Sequence, residues 1–491
     1  MPIGWVPTVC EAVCAYGFFV LKTGEGDSAV KGRNDTAGIM RTLIRFSLPL
    51  ILSGILQQLY NWVDAFIVGN VEGELALAAI GATGTIINFY LTAITGFTLG
   101  LTILVAQKYG SGQVDFIPKV LSTFAMLFGG LFLLLSALGM GASGPMLRLL
   151  HTTQDTVHMA EQYLRIIFAG VPFLAVYNVY SAALRGIGDT RAPFFSILLS
   201  SAVNVVLDIV FVGVLRWSVS GAAAATVISQ AAMTVFLVVY TTRRHPFLHF
   251  RICKGSFVRT ALVQGAHLGI PPMIQSSVSA FGGLLLQNFM NGFGTQTVAA
   301  ITTAYRIDTI ILLPIINLGS GISTVVAQNH GAGEEGRARR TFAVGSGMMA
   351  VVSLLMTLLV IPTGGYLIAM FGVGPEATEI GRGFFQRIAS FYVVYGMATA
   401  VRGYLEGLGD VMYSSAAGIA SLVFRIAASY ALASFFGNMV IAYAEAFSWG
   451  LLLALYLFRL LWKLHRQRKG LHNSSESVTM MANHSEQENE P

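Results

Sequence analysis

The chain alternates between long apolar segments and short polar ones. The apolar segments reach about 20 residues or more, the length that an α-helix needs to cross the hydrocarbon core of a bilayer. They are too continuously apolar for the strands of an outer-membrane barrel, in which lipid-facing and interior positions alternate. Twelve spans are predicted: 42–69, 75–107, 117–141, 157–183, 191–215, 219–241, 262–290, 297–328, 340–366, 379–402, 411–436 and 440–463. The second and eighth exceed the thickness of the core, so we expect them to tilt or protrude.

The composition defines the fold class. Of the 491 residues, 54% are hydrophobic and 11% are charged, whereas a soluble protein carries about 25% charged residues. The mean hydropathy is +0.67, so we predict an all-α integral membrane protein. The spans divide it into a cytoplasmic N-terminal extension at 1–40, an N-lobe with helices 1 to 6 at 41–242, a cytoplasmic linker loop at 243–260, a C-lobe with helices 7 to 12 at 261–464 and a disordered cytoplasmic tail at 465–491.

The net charge of +6 comes from lysine and arginine residues that concentrate in loops on one side of the spans. Basic loops stay on the cytoplasmic side of a membrane. Both termini are therefore predicted to be cytoplasmic, in a multi-pass protein of the plasma (inner) membrane, and the charge gives no reason to expect a nucleic-acid partner. The three cysteines, Cys10, Cys14 and Cys253, form neither a disulfide framework nor a metal site.

An internal repeat relates the two halves of the chain. Three groups recur at a constant offset of 221 residues: Ala78-Ala79-Ile80 as Ala299-Ala300-Ile301, Val105-Ala106-Gln107 with Gly110 and Gly112 as Val326-Ala327-Gln328 with Gly331 and Gly333, and Leu184, Gly186, Gly188 and Asp189 as Leu405, Gly407, Gly409 and Asp410. Six spans per repeat is an even number, so both halves insert with the same orientation. The repeat predicts two pseudo-symmetric six-helix lobes related by an axis along the membrane normal.

Three polar residues within the spans are the leading candidates for function. Asp64 ends a stripe on span 1 that also carries Gln57 and Asn61 at helical spacing. Asn204 and Asp208 lie four residues apart in span 5, which places them on one face of a helix. A carboxylate within the bilayer costs about 2.5–3.5 kcal/mol on insertion scales, so it usually faces a partner, a cavity or an ion path.

Other polar residues in the spans either join helices by hydrogen bonds or line a wetted cavity. They are Asn88 in span 2, Thr226 in span 6, Gln275 in span 7, and Arg306 and Asp308 in span 8. Arg306 and Asp308 are two residues apart and point to different faces, so they are poor partners for each other. Arg425 in span 11 is expected to pair with a carboxylate or with carbonyl groups, and Glu445 near the outer end of span 12 to be solvated.

These residues resemble the multidrug and toxic compound extrusion (MATE) family of transporters, and its bacterial members most. The resemblance covers residues 40–465. It rests on Pro49 with Gln57 and Asp64-Ala65-Phe66-Ile67-Val68-Gly69, Gln107 with Gly110 and Gly112, Leu184-Arg185-Gly186-Ile187-Gly188-Asp189-Thr190, and Asn204 to Asp208. It implies two six-helix lobes around a central cleft, in an export antiporter driven by inward H⁺ or Na⁺.

The resemblance also implies where the coupling site lies. The family's cation or proton site matches four residues of the N-lobe, Asp64, Asn204, Asp208 and Thr226, and Tyr163 falls where the family has a supporting tyrosine. Two carboxylates, an amide and a hydroxyl offer the oxygen ligands that Na⁺ requires. The same carboxylates, if they are close together, hold a proton instead.

The second half departs from some members of the family. Gln275 lies in the region where they have a membrane-embedded glutamate, and span 10 lacks an aspartate. We therefore expect coupling in the N-lobe. The residues expected to line the substrate cavity are Gln57, Asn61, Asn88, Asn178, Gln275, Arg306 and Asp308.

The predicted function is antiport by alternating access of the two lobes, which exports organic, often cationic and amphipathic compounds in exchange for H⁺ or Na⁺. A lipid-linked saccharide flippase is the alternative, although its cleft would need more Arg and Lys for a pyrophosphate head. A channel would need a ring of selectivity residues, and an enzyme a motif such as His-Glu-x-x-His, which no span carries. We expect no cofactor besides the coupling ion, and a monomer whose partners are a small-molecule substrate and membrane lipid.

Overall fold

Every regular element that the computed structural model shows is a helix. It describes residues 36–149, 152–248, 250 and 257–487, and no β-strand occurs among them. The first half contains α1 (Thr36–Glu72), α2 (Glu74–Gly110), α3 (Ile117–Leu149), α4 (Gln154–Ile187), α5 (Arg191–Asp208) and α6 (Ser218–Arg244). The second half contains α7 (Arg259–Asn291), α8 (Thr295–Ile311), α9 (Leu313–Gly331), α10 (Glu335–Ala369), α11 (Pro375–Ile388), α12 (Tyr392–Gly407), α13 (Val411–Phe436) and α14 (Val440–Gln487). The predicted all-α class is confirmed.

The helices follow the predicted spans. Eight helical stretches in the described part of the chain are long and apolar enough to cross a membrane, and α8 with α9 forms a ninth. One of the eight, Val411–Arg466, comprises α13 and the first part of α14, which are separated only by the 3₁₀ turn Gly437–Met439. It therefore accounts for two predicted spans. The remaining two predicted spans correspond to α7 and to the pair α11 and α12.

Two predicted spans are interrupted. The predicted span 297–328 bends by 41° between α8 and α9, where Pro314 is the second residue of α9; a proline lacks an N–H, and its ring clashes with a preceding helical turn. The eighth predicted span therefore consists of two helices set at an angle, and its tilt or protrusion stays a prediction. The predicted span 379–402 is divided by the 3₁₀ turn Ala389–Phe391. In the first half, α5 continues beyond Asp208 as the π-helical turn Ile209–Val214.

The predicted domain boundaries lie partly outside the described residues. Helix α1 begins at Thr36, within the predicted extension 1–40, whose residues 1–35 are not described. The predicted linker loop 243–260 is described only in part. Helix α14 runs to Gln487, through most of the segment for which the sequence predicts disorder; that segment contains no proline before Pro491 to stop a helix. The division into lobes, linker and tail stays a prediction.

Buried apolar side chains form a large core in each half of the chain. The first helix of each half also reaches the opposite core. Ile39 and Leu43 of α1 belong to the core of the second half, whereas Ala261 and Leu268 of α7 belong to the core of the first half. This reciprocal exchange follows the pseudo-twofold relation that the repeat predicts, and it places α1 and α7 among the helices through which the halves contact each other.

Two hydrogen bonds at the ends of α2 and α9 join the halves. The side-chain amide of Gln107 donates to the carbonyl oxygen of Gly407 at 3.0 Å, and that of Gln328 donates to the carbonyl oxygen of Gly186 at 2.7 Å. Each residue of one bond lies 221 positions from its counterpart in the other. We call these four residues the interlobe latch. The predicted topology places the latch on the cytoplasmic side.

Glycine is required beside the latch because two backbones meet there. A Cβ atom on Gly110 would lie 1.9 Å from the carbonyl oxygen of Gln328, and one on Gly331 would lie 2.0 Å from that of Gln107. The atoms in the way belong to the backbone, so no rotamer change relieves the overlap. These glycines therefore allow the ends of α2 and α9 to approach closely enough for the latch to form.

An aspartate in each half ties the loop before its fifth predicted span to its last helix. Asp189 accepts a hydrogen bond from the Tyr240 hydroxyl at 3.1 Å and lies 2.9 Å from Nε2 of His245, both at the end of α6. Its repeat counterpart, Asp410, accepts a hydrogen bond from Arg459 of α14 at 2.7 Å. The repeat therefore preserves the anchoring carboxylate but changes its partners.

We expect Asp189→Asn to lower the free energy of unfolding by about 1–3 kcal/mol at neutral pH, the range for hydrogen bonds to a charged group. Burial raises the pKa of Asp189, but the interaction with His245 and hydrogen bonds from Ala192 and Tyr240 outweigh it, and the net pKa is lowered. A lowered native pKa stabilises the fold above the unfolded-state pKa of about 3.9, and this contribution disappears as the pH falls through the native pKa.

Thermal unfolding in detergent at a series of pH values tests this. The gap in Tm between the wild type and Asp189→Asn should close as the pH falls below about 4. Asp115→Asn, at an exposed position, is the matched control and should show no gap. A gap that persists in acid would mean that the carboxylate charge is not the source of the stability.

Candidate functional site

Asp64 of α1 and Asp208 of α5 face each other in the first half. Helix α1 packs along α5, and the two carboxyl groups lie close enough to interact electrostatically. Asp208 and Asn204 are both 0% exposed, and Asp64 is half-buried. Asn204 stands one helical turn before Asp208 on the same face of α5. The structure thus gathers these three predicted residues in one buried region, which we call the carboxylate site.

The polar atoms of the carboxylate site lack partners. Oδ1 of Asp64, both carboxylate oxygens of Asp208 and both polar side-chain atoms of Asn204 are buried, with no hydrogen-bond partner among the described residues. Buried polar atoms are nearly always hydrogen-bonded, so a cluster of exceptions indicates a bound species that satisfies them. A proton shared by the two carboxyl groups, or a cation coordinated by their oxygens, meets this requirement.

Two tyrosines border the carboxylate site. Tyr163 on α4, which the family resemblance indicates, is 5% exposed and interacts electrostatically with both carboxylates. Tyr60 on α1 interacts with both as well. Tyr60 is not among the site residues predicted from the sequence. Its spacing of four residues from Asp64 is the signal that could have found it, because that spacing places both on one helix face.

Two other predicted residues are turned toward their own helices. The Thr226 hydroxyl donates to the carbonyl oxygen of Ala222 at 3.0 Å, and the Asn178 amide donates to that of Leu174 at 2.8 Å. Neither makes a hydrogen bond to the carboxylate site in the described structure. A hydroxyl that donates its hydrogen still offers oxygen lone pairs, so Thr226 stays a predicted cation ligand.

The residues predicted to line the substrate cavity separate into exposed and buried ones. Gln57, Asn61, Asn88 and Arg306 are exposed. Gln275 is half-buried, and its side-chain oxygen accepts a hydrogen bond from Arg402 at 3.3 Å. Asp308 is 4% exposed and accepts a hydrogen bond from Tyr392. It therefore lies in the interior of the second half, away from the cavity surface, because it points to the opposite face of α8 from Arg306.

An ionic network occupies the interior of the second half. Arg425 donates to Glu445 at 2.8 Å and to the Tyr305 hydroxyl at 2.7 Å. The expected pairing of Arg425 with a carboxylate is confirmed. The expected solvation of Glu445 is wrong: this residue is 7% exposed, because it turns inward to the arginine. Arg425 stands 221 residues after Asn204, so the second half has a paired guanidinium where the first has a partnerless amide.

We expect Arg425→Met to destabilise the protein by about 3–5 kcal/mol, because it leaves the buried Glu445 carboxylate uncompensated. The double substitution Arg425→Met with Glu445→Leu should regain most of this loss, since it removes both charges. Melting of the detergent-solubilised proteins measures both effects. Equal Tm values for the single and double variants would show that the ion pair is not the source of the effect.

Comparison with known proteins follows the same division into halves. The MatE family model matches residues 49–210 and 271–431. "Probable multidrug resistance protein YpnP" of Bacillus subtilis (strain 168) is 30% identical over 375 residues, which cover 76% of this chain and 84% of the relative. "Multidrug export protein MepA" of Staphylococcus haemolyticus (strain JCSC1435) is 21% identical over 405 residues, which cover 82% of this chain and 89% of the relative.

Solved structures share the fold. An outward-facing multidrug resistance MATE transporter of the MOP superfamily superposes with a TM-score of 0.82 at 20% identity, covering 90% of this chain and 98% of that one. The helices and these comparisons define a multi-pass membrane transporter. The chain belongs to the MatE family of multidrug efflux transporters, which confirms the resemblance seen in its motifs.

Proposed function

We propose that the protein is a secondary antiporter that exports amphipathic organic compounds in exchange for H⁺ or Na⁺ moving inward. The observation that carries the proposal is the carboxylate site, in which two carboxyl groups approach each other with buried oxygens that lack partners. The names of the relatives, a probable multidrug resistance protein and a multidrug export protein, support organic compounds as the cargo. They also favour an exporter over a saccharide flippase.

The carboxylate site can exist in two charge states with different packing. Without a bound cation, two carboxylates at close range in apolar surroundings repel each other. A proton or Na⁺ between them removes the repulsion and draws α1 and α5 together. Because α1 also packs against α9 of the second half, a change in its position is transmitted to the contact between the halves.

Export then follows because the substrate and the coupling cation stabilise different states of the protein. We infer that the halves alternate between a state open to the cytoplasm and one open to the outside. The closed interlobe latch supports two such states, since opening this side requires both of its hydrogen bonds to break. Substrate and cation each shift the equilibrium only by their difference in affinity for the two states.

The setting that fits this function is the plasma (inner) membrane, with both termini in the cytoplasm. The concentration of lysine and arginine in the loops of one side supports this orientation. We propose a monomer that requires no cofactor besides the coupling ion, with membrane lipid and a small-molecule substrate as its partners and no nucleic acid. The pseudo-twofold repeat supports the monomer, because one chain supplies both halves of the transport pathway.

Dye export from a pump-deficient bacterial host tests the proposal. Inside-out vesicles from cells that express the protein receive a pH gradient or a Na⁺ gradient separately, and empty-vector vesicles serve as the control. We expect dye transport to accelerate under at least one gradient and to stop when an ionophore dissipates it. Transport that responds to neither gradient would rule out antiport with these ions.

A further inference from the structure

Arg306 is an unpaired charge on an exposed face of α8. Its side chain makes no hydrogen bond or ion pair with any residue in the described ranges. The same face carries Thr295 and Thr309 as exposed residues, while Ile307 and Asp308 on the opposite face are buried. Helix α8 therefore presents a polar stripe, with an arginine within it, to the surroundings of the protein.

The depth of Arg306 identifies those surroundings. It lies eleven residues after Thr295, where α8 begins, a distance of about 16 Å along the axis at 1.5 Å per residue. This is near the middle of a hydrocarbon core about 30 Å thick. A guanidinium at that depth is costly in lipid and is tolerated in a water-filled cavity. The polar stripe of α8 therefore faces a wetted cleft.

The repeat supplies the opposite wall of the cleft. The counterparts of Arg306 and Thr309, 221 residues earlier, are Thr85 and Asn88 of α2, and both are exposed. Two helix faces in equivalent positions of the two halves are thus polar and exposed. At the level of Arg306 the face on α8 bears a positive charge and the equivalent position on α2, Thr85, is neutral; the nearest charge on the α2 face is Glu74, eleven residues earlier at the start of that helix.

A cavity of about 560 Å³ lies beside Arg306. Its walls combine hydroxyl and amide groups with apolar side chains, and the main contributors are Asn291, Thr295, Val298, Thr302, Thr303 and Arg306. The volume lies in the range of small-molecule sites. The N-terminus of α8 opens into the cavity, and its partial positive charge favours an anion. The cavity therefore suits a ligand with an anionic group on an apolar body.

The acids of the spans are already engaged and do not neutralise Arg306. Asp64 and Asp208 face each other, and five further acids have a named partner: Asp308 with Tyr392, Glu406 with Arg402, Glu445 with Arg425, Glu161 with Arg165 and Glu379 with Arg382. Glu72, Glu74 and Glu376 lie at helix ends. No acid in the interior of the described spans is therefore left to neutralise Arg306. A transported ligand that enters the cleft is the natural source of the counter-charge.

We propose that Arg306 binds a carboxylate or similar anionic group of the exported compound. The protein then prefers zwitterionic and anionic amphipaths to matched compounds that carry only positive charge, which narrows the often cationic cargo expected from the sequence. This substrate class rests on the proposed function as an exporter. It assigns Arg306 the recognition of cargo, while the carboxylate site keeps the coupling ion.

A pair of dyes that differ in one group tests the proposal. Tetramethylrhodamine carries a free carboxylate, and its methyl ester does not. We expect Arg306→Gln to slow export of the free acid by at least about tenfold and to leave export of the ester unchanged or faster, because charge-assisted hydrogen bonds are the strong ones. Arg306→Lys should retain much of the acid transport. Arg243→Gln, at an exposed arginine away from this cavity, is the matched control.

Measurements of protein level and of dye binding distinguish a defect in recognition from poor expression. Each variant is quantified in the membrane, and purified protein is titrated with both dyes by fluorescence polarisation. Equal loss of transport and binding for both dyes in Arg306→Gln would overturn the proposal, as would a wild type that carries the ester and never the acid.

The experiments distinguish failure of the antiport proposal from failure of the recognition role of Arg306. If Arg306→Gln impairs export of the acid dye only, while no ion gradient changes the export rate, the recognition role is supported and antiport is ruled out. If an ion gradient drives export and Arg306→Gln changes the export of both dyes equally, antiport is supported and the recognition role is ruled out.

Discussion

We expect Asp208→Asn to remove most ion-driven export while the protein remains folded in the membrane, and Asp64→Asn to do the same. Asparagine keeps the volume of each side chain but removes one of the two negative charges, so loading a cation no longer changes the repulsion between α1 and α5. The initial rate of gradient-driven dye export should fall at least about tenfold, which corresponds to about 1.4 kcal/mol and lies within the usual range of coupling free energies.

The measurement is dye transport in proteoliposomes with an imposed pH or Na⁺ gradient. Asp115→Asn, at an exposed position in the 3₁₀ turn Val114–Phe116, is the control for loss of a carboxylate elsewhere. Export should persist at the wild-type rate in the control. Wild-type rates in both Asp64→Asn and Asp208→Asn would remove the carboxylate site from the mechanism.

We expect Gly110→Ala and Gly331→Ala to open the predicted cytoplasmic side and to slow export. Each added Cβ meets a carbonyl oxygen of the opposite half, at 1.9 Å for Gly110 and 2.0 Å for Gly331, so the ends of α2 and α9 must separate. Overpacking of this kind costs about 1–3 kcal/mol. The cost falls on the state with the latch closed, so the equilibrium shifts toward the open state by about five- to 150-fold. Because the two glycines are related by the repeat, both variants should behave alike.

Cysteine labelling measures this shift. Ala327, next to the latch, is 0% exposed, so a cysteine there in an otherwise cysteine-free protein reports when the ends of α2 and α9 part. In inside-out vesicles, a membrane-impermeant maleimide should label Ala327→Cys faster when Gly110→Ala or Gly331→Ala is also present. Gly130→Ala is the matched control, since a Cβ there has nothing within 4 Å. Unchanged labelling and export in all three variants would show that the close approach is dispensable.

The sequence predicts the helices and their division into two halves because both leave a pattern in the residues themselves. Apolar length identifies the spans, and a constant offset identifies the repeat. The bend at Leu312 was within reach of the sequence as well, because Pro314 is a local signal that the length of the apolar segment obscures. The 3₁₀ turn at Ala389–Phe391 contains no proline or glycine, so no local signal indicates it.

The sequence does not predict which distant segments contact each other. The motif around Gln107 and Gln328 is visible, yet nothing local shows that each amide crosses to a glycine carbonyl of the other half. The facing of Asp64 and Asp208 depends on how α1 packs along α5. Asp308 and Glu445 show the same limit, because an acid near polar neighbours in sequence is buried here by partners on other helices.

Cation release on substrate binding tests the central claim most directly. Purified protein in weakly buffered detergent solution, loaded with H⁺ or with radioactive Na⁺, receives a transported dye, and the released ion is measured. We predict that dye binding releases the ion from the wild type and that Asp64→Asn and Asp208→Asn release none, although both still bind the dye. Release from both variants equal to that of the wild type would place the coupling ion elsewhere and contradict the account.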